Sequence, residues 1–570
     1  ETASIQVDIY AGSSPLPART ETFSINPGYY KQLNFDVNET RTQIECPTIY
    51  AGLISNYGIH IRSLNNVKIL AYYMVNGTSQ RDIFSLKGKQ ALGTHFITPF
   101  QEHVGNYFTQ RESGTTYNKG ADQINIVATE DGTYIYATLK KMCIKRDGST
   151  IPANVEQIFG PMSKGQTLIL REDTAKYGTS STQITQAKND GTLAGSIVKS
   201  NNPIAVTTSE DCLSAVITYN NGNTDLAGDQ IVPVDMVGKR YVVIRGQSTV
   251  GERVDFTATT DNTVIDVHYF DGSTDQVVSS PTLNSNQTWH VDMTKLNGSV
   301  NSDIFVDATQ PVYCYQHSAV NGELGAAIIP SMYSISQQQI DYYQSTGTVG
   351  NYLFLVFREK CDTAFTIAKD GGAETRLDGI VTINPQKIPS GIADEWRYAR
   401  IQIPNTYDNS MVTIRNSEST FSLGYFNGSS GTASYGYLSG FGGFEFDPDT
   451  IWRCAENPRP VTLTGGYAKS YIWTFPDGST KNTPSIKAYQ EGMYILEMDQ
   501  DPRRLIDTCW IIDMKFNAEI TRDPNKPVKV GVPQIFRAAP KGTNLPDLNY
   551  QWSFQGGNPA VSTSPAPTVT

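Results

Sequence analysis

The residues best suited to nucleophilic or metal chemistry are scattered along the chain. Six histidines and seven cysteines occur in 570 residues, and neither an H-E-x-x-H nor a C-x-x-C motif is present. Cys314 and His317 stand three apart in "VYCYQHS", the residue types of a nucleophile and its base. If this stretch is one strand, residues three apart point to opposite faces and cannot meet. The sequence therefore assigns no catalytic residue.

A polar, glycine-containing stretch offers the clearest candidate metal ligands. "NNGNTDLAGDQ" (220–230) carries Asp225 and Asp229, whose carboxylate oxygens are ligands of the kind that calcium prefers. The spacing does not match an EF-hand, so two interpretations stay open. The stretch is either a calcium loop held by Asp225 and Asp229 or a solvated loop without an ion, and no other cofactor is predicted.

The odd number of cysteines allows at most three disulfides. Cys454 and Cys509 stand near the start and the end of one predicted domain, and a bridge between them would close a loop of about 55 residues. In the chain-entropy model such a bridge stabilises a domain by roughly 4 kcal/mol. We therefore predict a Cys454–Cys509 disulfide in an exported protein.

Composition favours a large all-β protein. The chain contains 31 tyrosines, 47 glycines and 29 prolines, which is typical of many short strands joined by tight turns. Its net charge is −11, without the clustered Lys and Arg that nucleic acid binding requires. No stretch approaches the ~18 apolar residues of a membrane span, so we expect no direct membrane insertion.

A hairpin recurs along the chain and indicates repeated modules. "SNNPIAVTTS" (200–209) has a near copy in "ATQPVYCYQH" (308–317) and weaker copies in "LNNVKILAYY" (64–73) and "SESTFSLGYF" (417–426). Pro203, Pro311 and Ser419 lie 108 residues apart, and a fixed period of this size indicates repeated supersecondary units. About seven strands in ~110 residues favour serial antiparallel β-sandwich modules. Propeller-like blades of four strands are the alternative.

The end of the chain follows a different pattern. "YIWTFPDGST" (471–480) is echoed by "YQWSFQGGNP" (550–559), and a Y-x-W-x-F strand predicts an Ig-like or PKD-like sandwich with Trp473 in its centre. Tyr494 follows Gly492 as in a tyrosine corner. The second copy ends before its strands are complete, so we expect the chain to be a piece of a longer protein. The predicted segments are an entry unit (1–92), three β repeats (93–233, 234–345 and 346–450), an Ig-like/PKD-like domain (451–516) and a truncated PKD-like domain (517–570).

Several phrases resemble a known family. "DQINIVATEDGTYIYA", "GSIVKSNNPIAV", "DQIVPVDMVGKRYVV" and "ERVDFTATTDNTVIDV" resemble the N-terminal domain of the IgG-Fc-binding protein family, in its bacterial branch. The modules after residue 450 are similar to the Ig-like and PKD-like repeats of large surface adhesins of Bacteroidota. That resemblance implies type IX secretion, a secreted or outer-membrane-attached location, and contact with the secretion and anchoring machinery. It does not imply binding to immunoglobulin.

Together these features predict a non-catalytic, extracellular adhesin. Exposed tyrosines supply rigid contact area, so the expected partner is a glycan, a mucin-like molecule or a surface protein. A structural stalk, filament or gliding-motility component is the alternative. A carbohydrate-active enzyme is the second alternative, because paired carboxylates cannot be recognised from sequence spacing.

Overall fold

The chain is almost entirely β-structure, as predicted. The computed structural model describes residues 2–12, 14, 16–35, 51–65, 67–76, 81–100, 121–145, 147–172, 192–213, 225–248, 251–296, 303–320, 323–347, 349–393, 395–429, 432–441, 449–455, 458–499, 504–523, 531–543 and 550–570. Within them, helical structure consists of short 3₁₀ turns at Gly88–Ala91, Val234–Met236, Met332–Ser334, Asp362–Ala364, Leu377–Gly379 and Asn405–Tyr407. The chain divides into two compact units, Glu1–Gly443 and Phe444–Thr570.

The first unit is built from antiparallel sheets that follow the predicted repeats. The entry segment contains β1 (Ala3–Ile9), β2 (Arg19–Ile25), β3 (Ile54–Ser55), β4 (Ile59–Ser63), β5 (Ala71–Asn76) and β6 (Arg81–Leu86). The second segment contains β7 (Gly93–Ile97), β8 (Asp122–Ala128), β9 (Thr133–Thr138), β10 (Cys143–Ile144), β11 (Thr150–Ile151), β12 (Gln157–Met162), β13 (Thr167–Glu172), β14 (Ile197–Leu213) and β15 (Asp225–Ile231).

The third segment repeats this plan in one sheet, whereas the strands of the fourth segment are divided between two sheets. The third contains β16 (Gly238–Val243), β17 (Arg253–Ala258), β18 (Ile265–Phe270), β19 (Asp275–Ser279), β20 (Thr288–Asp292), β21 (Ile304–Val320) and β22 (Glu323–Ile328). The fourth contains β23 (Gln339–Gln344), β24 (Gly350–Arg358), β25 (Phe365–Lys369), β26 (Thr375–Arg376), β27 (Gln386–Lys387), β28 (Trp396–Ile403), β29 (Ser410–Asn416), β30 (Ser422–Ser429) and β31 (Thr432–Tyr437).

Matching strand orders support the sequence repeat. In the second segment the order β13-β8-β14-β9-β12 corresponds to β20-β17-β21-β18-β19 in the third. One long strand, β14 or β21, pairs with several neighbours in turn along its 17 residues. Strand β8 alternates buried and half-buried residues, the period-two pattern of a strand with one core face.

The apolar cores cross the predicted segment boundaries. The core of the second segment also includes Tyr313, Tyr315 and Ile328 of the third, and Phe441 near the end of the fourth. The core of the fourth segment includes Ile83 of the entry segment. The repeats therefore share apolar cores instead of each enclosing a separate one, and the segment boundaries stay a prediction based on the sequence period.

The second unit contains the predicted tryptophan-centred sandwich. Its strands are β32 (Thr450–Cys454), β33 (Val461–Thr464), β34 (Ser470–Thr474), β35 (Thr480–Lys481), β36 (Ser485–Ala488), β37 (Gly492–Asp499), β38 (Arg504–Asp523), β39 (Gln534–Thr543), β40 (Trp552–Ser553), β41 (Val561–Ser562) and β42 (Thr568–Val569). Trp473 is fully buried, and its indole N–H donates to the carbonyl of Thr483 at 2.8 Å. The Tyr494 hydroxyl donates to the carbonyl of Gln490 at 3.1 Å, as a tyrosine corner requires.

The predicted Cys454–Cys509 disulfide is wrong. Cys454 is exposed, whereas Cys509 is buried in the core of the second unit. Strand β32 runs parallel to β38 and places Cys454 opposite Met514, five positions beyond Cys509. At about 3.3 Å per residue this offset approaches ~16 Å, whereas bridged Cα atoms lie less than about 7 Å apart.

One strand serves both predicted domains of the second unit. The first half of β38 pairs with β37 from Arg504 to Ile511, and its second half pairs with β39 from Lys515 to Asp523. The predicted boundary at residues 516–517 therefore falls inside a continuous strand and not in a linker. Ladder hydrogen bonds on both sides of the boundary restrict bending there.

We expect Trp473→Ala to destabilise the second unit selectively. Truncating a fully buried tryptophan removes apolar contact and leaves a cavity, so its free energy of unfolding should fall by about 3–5 kcal/mol. Differential scanning calorimetry would detect this as a lower melting temperature for one transition. Trp452→Ala is the matched control because Trp452 is 42% exposed, and it should cost less than about 1 kcal/mol. Equal effects of the two variants would contradict the assigned core.

Candidate functional site

The repeated hairpins meet at the centre of the first unit. Each consists of a strand followed by an antiparallel partner, in the pairs β5–β6, β14–β15, β21–β22 and β30–β31. The second strands are neighbours in a closed circuit: β6 lies beside β15, β15 beside β22, β22 beside β31, and β31 beside β6. We call β6, β15, β22 and β31 the four-strand ring. The recurrent hairpin of the sequence therefore supplies one strand of this ring from each segment.

Contacts across the ring show that its strands run in one direction. On β6 and β15, the amide of Gly228 donates to Asp82 Oδ2 at 3.0 Å, and the amide of Lys87 donates to Gln230 Oε1 at 2.6 Å. Residue numbers increase in the same direction along both strands in these two contacts, so β6 and β15 are parallel. On β15 and β22, Asp225 lies near Glu323 and Asp229 contacts Ile328, which is again a parallel order. On β31, Ala433 contacts Asp225 and Gly436 lies against Ile83, beside Asp82, so this strand runs in the same direction.

Small residues permit the close approach of these strands. A Cβ atom added to Gly325 would lie 2.7 Å from Tyr435 Cβ, and one added to Gly436 would lie 2.6 Å from the carbonyl oxygen of Ile83. Both separations are well inside van der Waals contact. Glycine is therefore required at these positions for steric reasons.

Carboxylates and a lysine occupy the buried interior of the ring. Lys87 Nζ contacts Asp229 Oδ1, and the amide of Ile328 donates to Asp229 Oδ2 at 3.0 Å. Asp82 accepts from the amides of Ile83 and Gly228. Burial raises the pKa of Asp82 well above its usual value, and the nearby charges of Asp225 and Asp229 add to this.

The structure contradicts a calcium site shared by Asp225 and Asp229. The described part of the predicted loop is strand β15, in which these residues are four positions apart and both are buried. A separation of four strand residues is about 13 Å, too far for one ion to bind both carboxylates. Asp225 instead accepts from the amides of Leu226 and Ala433, and burial raises its pKa to about 8.

A second buried polar cluster joins the second and third segments beside the ring. His317 Nε2 lies 3.2 Å from Glu210 Oε2, and His317 Nδ1 lies 3.3 Å from Asp255 Oδ2. The Tyr315 hydroxyl donates to Glu210 at 3.0 Å, and Arg253 Nε donates to Asp255 at 3.0 Å. Burial alone would lower the pKa of His317, but the neighbouring carboxyl groups of Asp255 and Glu210 outweigh burial and raise it. We call Glu210, Arg253, Asp255, Tyr315 and His317 the histidine cluster.

These buried groups fasten segments together and do not form an open catalytic site. Cys314 and His317 both lie on β21, and burial raises the pKa of the Cys314 thiol, which disfavours the reactive thiolate. Within the described ranges, no group of three or more His, Cys, Asp or Glu side chains is arranged to hold a metal ion. No motif or spacing in the sequence points to Lys87, Asp82 and Glu210, because their partners are distant in the chain.

An exposed row of side chains crosses the outer face of the second segment. Cross-strand pairing places Ile158 opposite Tyr136, Tyr136 opposite Lys199, and Lys199 opposite His95. Tyr134 points to the same face two residues before Tyr136. Ile158 is 63% exposed and Tyr134 37% exposed. We call these five residues the tyrosine face.

The corresponding row of the third segment is polar and internally bonded. Asp307 stands 108 residues after Lys199, and the register aligns Ser279, Asp266, Asp307 and Arg240 across the same four strands. Ser279 donates to Asp266 at 2.5 Å, and Arg240 donates to Asp307 at 2.9 Å. The positions of Ile158, Tyr136, Lys199 and His95 are therefore taken in the third segment by polar side chains that pair with one another. Val264 stands at the position of Tyr134.

The second unit presents another exposed apolar face. Ile506 is 62%, Trp510 47% and Trp452 42% exposed. Ile506 and Trp510 share one face of β38, and the parallel register places Trp452 opposite Ile512, which is on that same face. Exposed apolar patches of this kind often mark interaction sites.

We expect the histidine cluster to make stability depend on pH. Because the folded-state pKa of His317 is raised, its stabilising contribution is complete below the unfolded pKa of about 6.5 and is lost as pH rises through the folded value. His317→Gln should lower the free energy of unfolding by about 3 kcal/mol near pH 6, and by less at higher pH. Urea titrations of both proteins from pH 5 to 10 would measure this difference. A difference that stays constant across this range would contradict a protonated His317.

Comparison with known proteins gives a family and only weak structural similarities. No curated protein matches the chain. Partial similarity extends to the crystal structure of Dscam1 isoform 9.44, N-terminal four Ig domains, at 9% identity over 47% of this chain and 77% of that one, with a TM-score of 0.13. A titin I9–I11 tandem matches at 10% identity over 48% of this chain and 99% of that one, with a TM-score of 0.09. Scores this low do not indicate a shared arrangement.

The helical turns of the structure are short, and a family model matches most of the first unit. None of the helical turns that the structure describes has the length and apolarity needed to cross a membrane. The family model described as IgGFc binding protein matches residues 84–427, more than half of the chain. This match covers β15, β22 and the second half of β6 in the four-strand ring, together with the histidine cluster and the tyrosine face. The chain belongs to the IgGFc-binding protein family.

Proposed function

We propose that this protein is a non-catalytic, extracellular adhesin whose first unit binds a surface protein or a glycan. Membership of a family named for binding a protein supports a binding role. The observation that carries the proposal is the contrast between the tyrosine face and the polar row at equivalent positions of the third segment. A scaffold requirement common to the repeats would give both rows the same chemistry.

The chemistry of the tyrosine face suits a ligand with apolar and polar parts. Tyr134 and Tyr136 provide flat, rigid surfaces with hydroxyl groups at their edges, and such surfaces pack on sugar rings or on apolar side chains. Lys199 is exposed beside them and supplies a cation. Burial lowers the pKa of His95, and the adjacent Lys199 charge lowers it further, so neutral imidazole completes the face near pH 7.

The framework beneath the face favours recognition by a preformed surface. Tyr136 and Lys199 stand on central strands β9 and β14, which hydrogen bond to neighbours on both sides. Side chains held on such strands lose little freedom when a ligand binds. We therefore infer that a rigid sheet face, and not a loop, supplies most of the binding affinity.

The second unit supports a structural role as a second candidate function. A continuous β38 shared by two predicted domains is suited to a stiff stalk, and the exposed Trp452 and Trp510 offer lateral contact area. Within this proposal the second unit is a PKD-like spacer of a bacterial surface protein. Type IX secretion, outer-membrane attachment and a part in gliding motility rest on sequence resemblance.

Replacing the tyrosine face tests the binding role. We expect the wild-type chain to bind to immobilised mucin or to members of a glycan array, and Tyr134→Ser/Ile158→Ser to weaken that binding at least about tenfold. Removing two exposed contact side chains from a binding face typically costs more than about 1.4 kcal/mol, which corresponds to that factor. Biolayer interferometry with enzymatically deglycosylated mucin as a second surface would separate a glycan ligand from a protein ligand.

The third segment supplies the matched control. Val277→Ser changes an outward, 56% exposed residue on the corresponding edge strand β19 and should leave binding unchanged. Equal losses in both variants would contradict a specific role for the tyrosine face. Concentration-dependent polymerisation of wild-type protein without binding to either surface would favour the stalk instead.

A further inference from the structure

A lysine and an aspartate from different segments meet in a dry environment inside the four-strand ring. The side chains of Lys87 and Asp229 are 1% and 2% exposed, and Lys87 Nζ contacts Asp229 Oδ1 directly. Lys87 Nζ also lies 3.3 Å from the carbonyl of Ser85 and 5.0 Å from the centre of the Phe441 ring. The amine therefore has one carboxyl group as its close acidic partner among the contacts recorded for it.

The carboxyl group is held in a fixed orientation toward that amine. Asp229 Oδ2 accepts from the amide of Ile328 at 3.0 Å, which leaves Oδ1 facing Lys87. An amide donor on one carboxyl oxygen polarises the carbon and stabilises negative charge that develops there during attack. Asp82 Oδ2 accepts from the amide of Gly228, the residue before Asp229, and the charge of Asp229 acts on the Asp82 carboxyl group.

Burial favours the uncharged forms of both partners. It lowers the pKa of the Lys87 ammonium group even though the charge of Asp229 opposes the change. It also raises the pKa of Asp229 despite the charge of Lys87. A neutral amine is a nucleophile and a protonated carboxyl group is an electrophile, whereas an ammonium–carboxylate pair is unreactive.

We propose that Lys87 and Asp229 condense after folding to form an intramolecular isopeptide bond. Lys87 Nζ attacks Cγ of the protonated Asp229 side chain and forms the new C–N bond. One carboxyl C–O bond breaks, and its oxygen leaves as water together with a proton from the amine. Neither an oxidant nor a cofactor is needed, and one amide and one water replace the amine and the acid.

Asp82 is the positioning and proton-transfer residue of this reaction. Burial raises its pKa well above the usual value, so it enters as a neutral acid able to donate one proton and accept another. It can protonate the departing hydroxyl group and receive the proton released by the amine. Its net protonation is then unchanged when the bond is complete.

The bond would lock adjacent strands of the ring. Lys87 follows the last residue of β6, and Asp229 lies within β15, 142 residues further along the chain. Condensation replaces a buried amine and a buried carboxyl group, which would be costly to hold in their charged forms, by one neutral amide. The bond would connect the entry segment covalently to the second segment. It would therefore keep β6 from separating from β15 in the ring.

Intact mass spectrometry of the full chain under denaturing, reducing conditions tests the proposal. We expect the wild type to be about 18 Da lighter than its sequence mass, and a proteolytic map to contain one branched peptide joining Lys87 to Asp229. Reduction removes any mass change due to cysteine oxidation. An unmodified wild-type mass in folded protein would overturn the proposal whatever the variants do.

Three variants distinguish this chemistry from an ion pair. Lys87→Met should retain its full sequence mass, and Asp82→Asn should accumulate unlinked chain. Asp229→Asn should still condense, with a loss of about 17 Da as ammonia leaves in place of water. Circular dichroism would identify variants that do not fold. If a variant does not fold, the presence or absence of the branched Lys87–Asp229 peptide in the wild-type map tests the proposal.

A second buried pair provides an internal comparison. Lys141 Nζ contacts Glu172 Oε1 in the second segment, with side-chain exposures of 5% and 3%. A branched peptide that joins only Lys141 to Glu172 would overturn the assignment to Lys87 and Asp229. Mass loss that persists in Lys87→Met would do the same.

Discussion

The close approach of four parallel strands at the centre of the first unit determines much of its remaining structure. Gly325 and Gly436 have no side chain where a neighbouring strand comes within van der Waals contact. Each ring strand is the second half of a hairpin, so its position also fixes the longer strand with which it pairs. In the second and third segments that longer strand, β14 or β21, is the axis of the sheet. The close contacts within the ring thus help to determine where the sheets of these segments lie.

Polar groups near this ring carry an energetic cost that their partners offset. Removing a carboxylate or an ammonium group from water costs several kcal/mol unless bonded neighbours compensate. Asp229, Asp82, Glu210 and Asp255 each have such neighbours on another strand, and several of these belong to another segment. A displaced segment would leave buried polar groups without these partners. These contacts therefore favour one arrangement of the segments, in addition to the apolar cores that they share.

Local features of the fold were predictable because they depend on neighbouring residues. The hairpins, the antiparallel strands, the burial of Trp473 and the tyrosine corner of Tyr494 follow from alternation, turn residues and short motifs. The ring could not be predicted from the sequence. It joins strands that are separated by roughly 100 residues or more and that form no common hydrogen-bonded sheet. The Cys454–Cys509 pairing was wrong because spacing gives loop length but not strand register. The calcium interpretation was wrong for a related reason, since a polar, glycine-containing stretch proved to continue as buried strand.

Repeated architecture also supplies a way to separate scaffold from function. Positions that serve the fold keep similar chemistry between segments, as Val198 and Val306 do on the core faces of β14 and β21. The adjacent outward positions, Lys199 and Asp307, stand at the same place in the repeat and differ in charge. One belongs to an exposed row with tyrosines, while the other is satisfied by Arg240. Since the sheets beneath them have the same strand order, this difference has no source in the backbone. It is therefore better explained by what each outer face contacts than by what the fold requires.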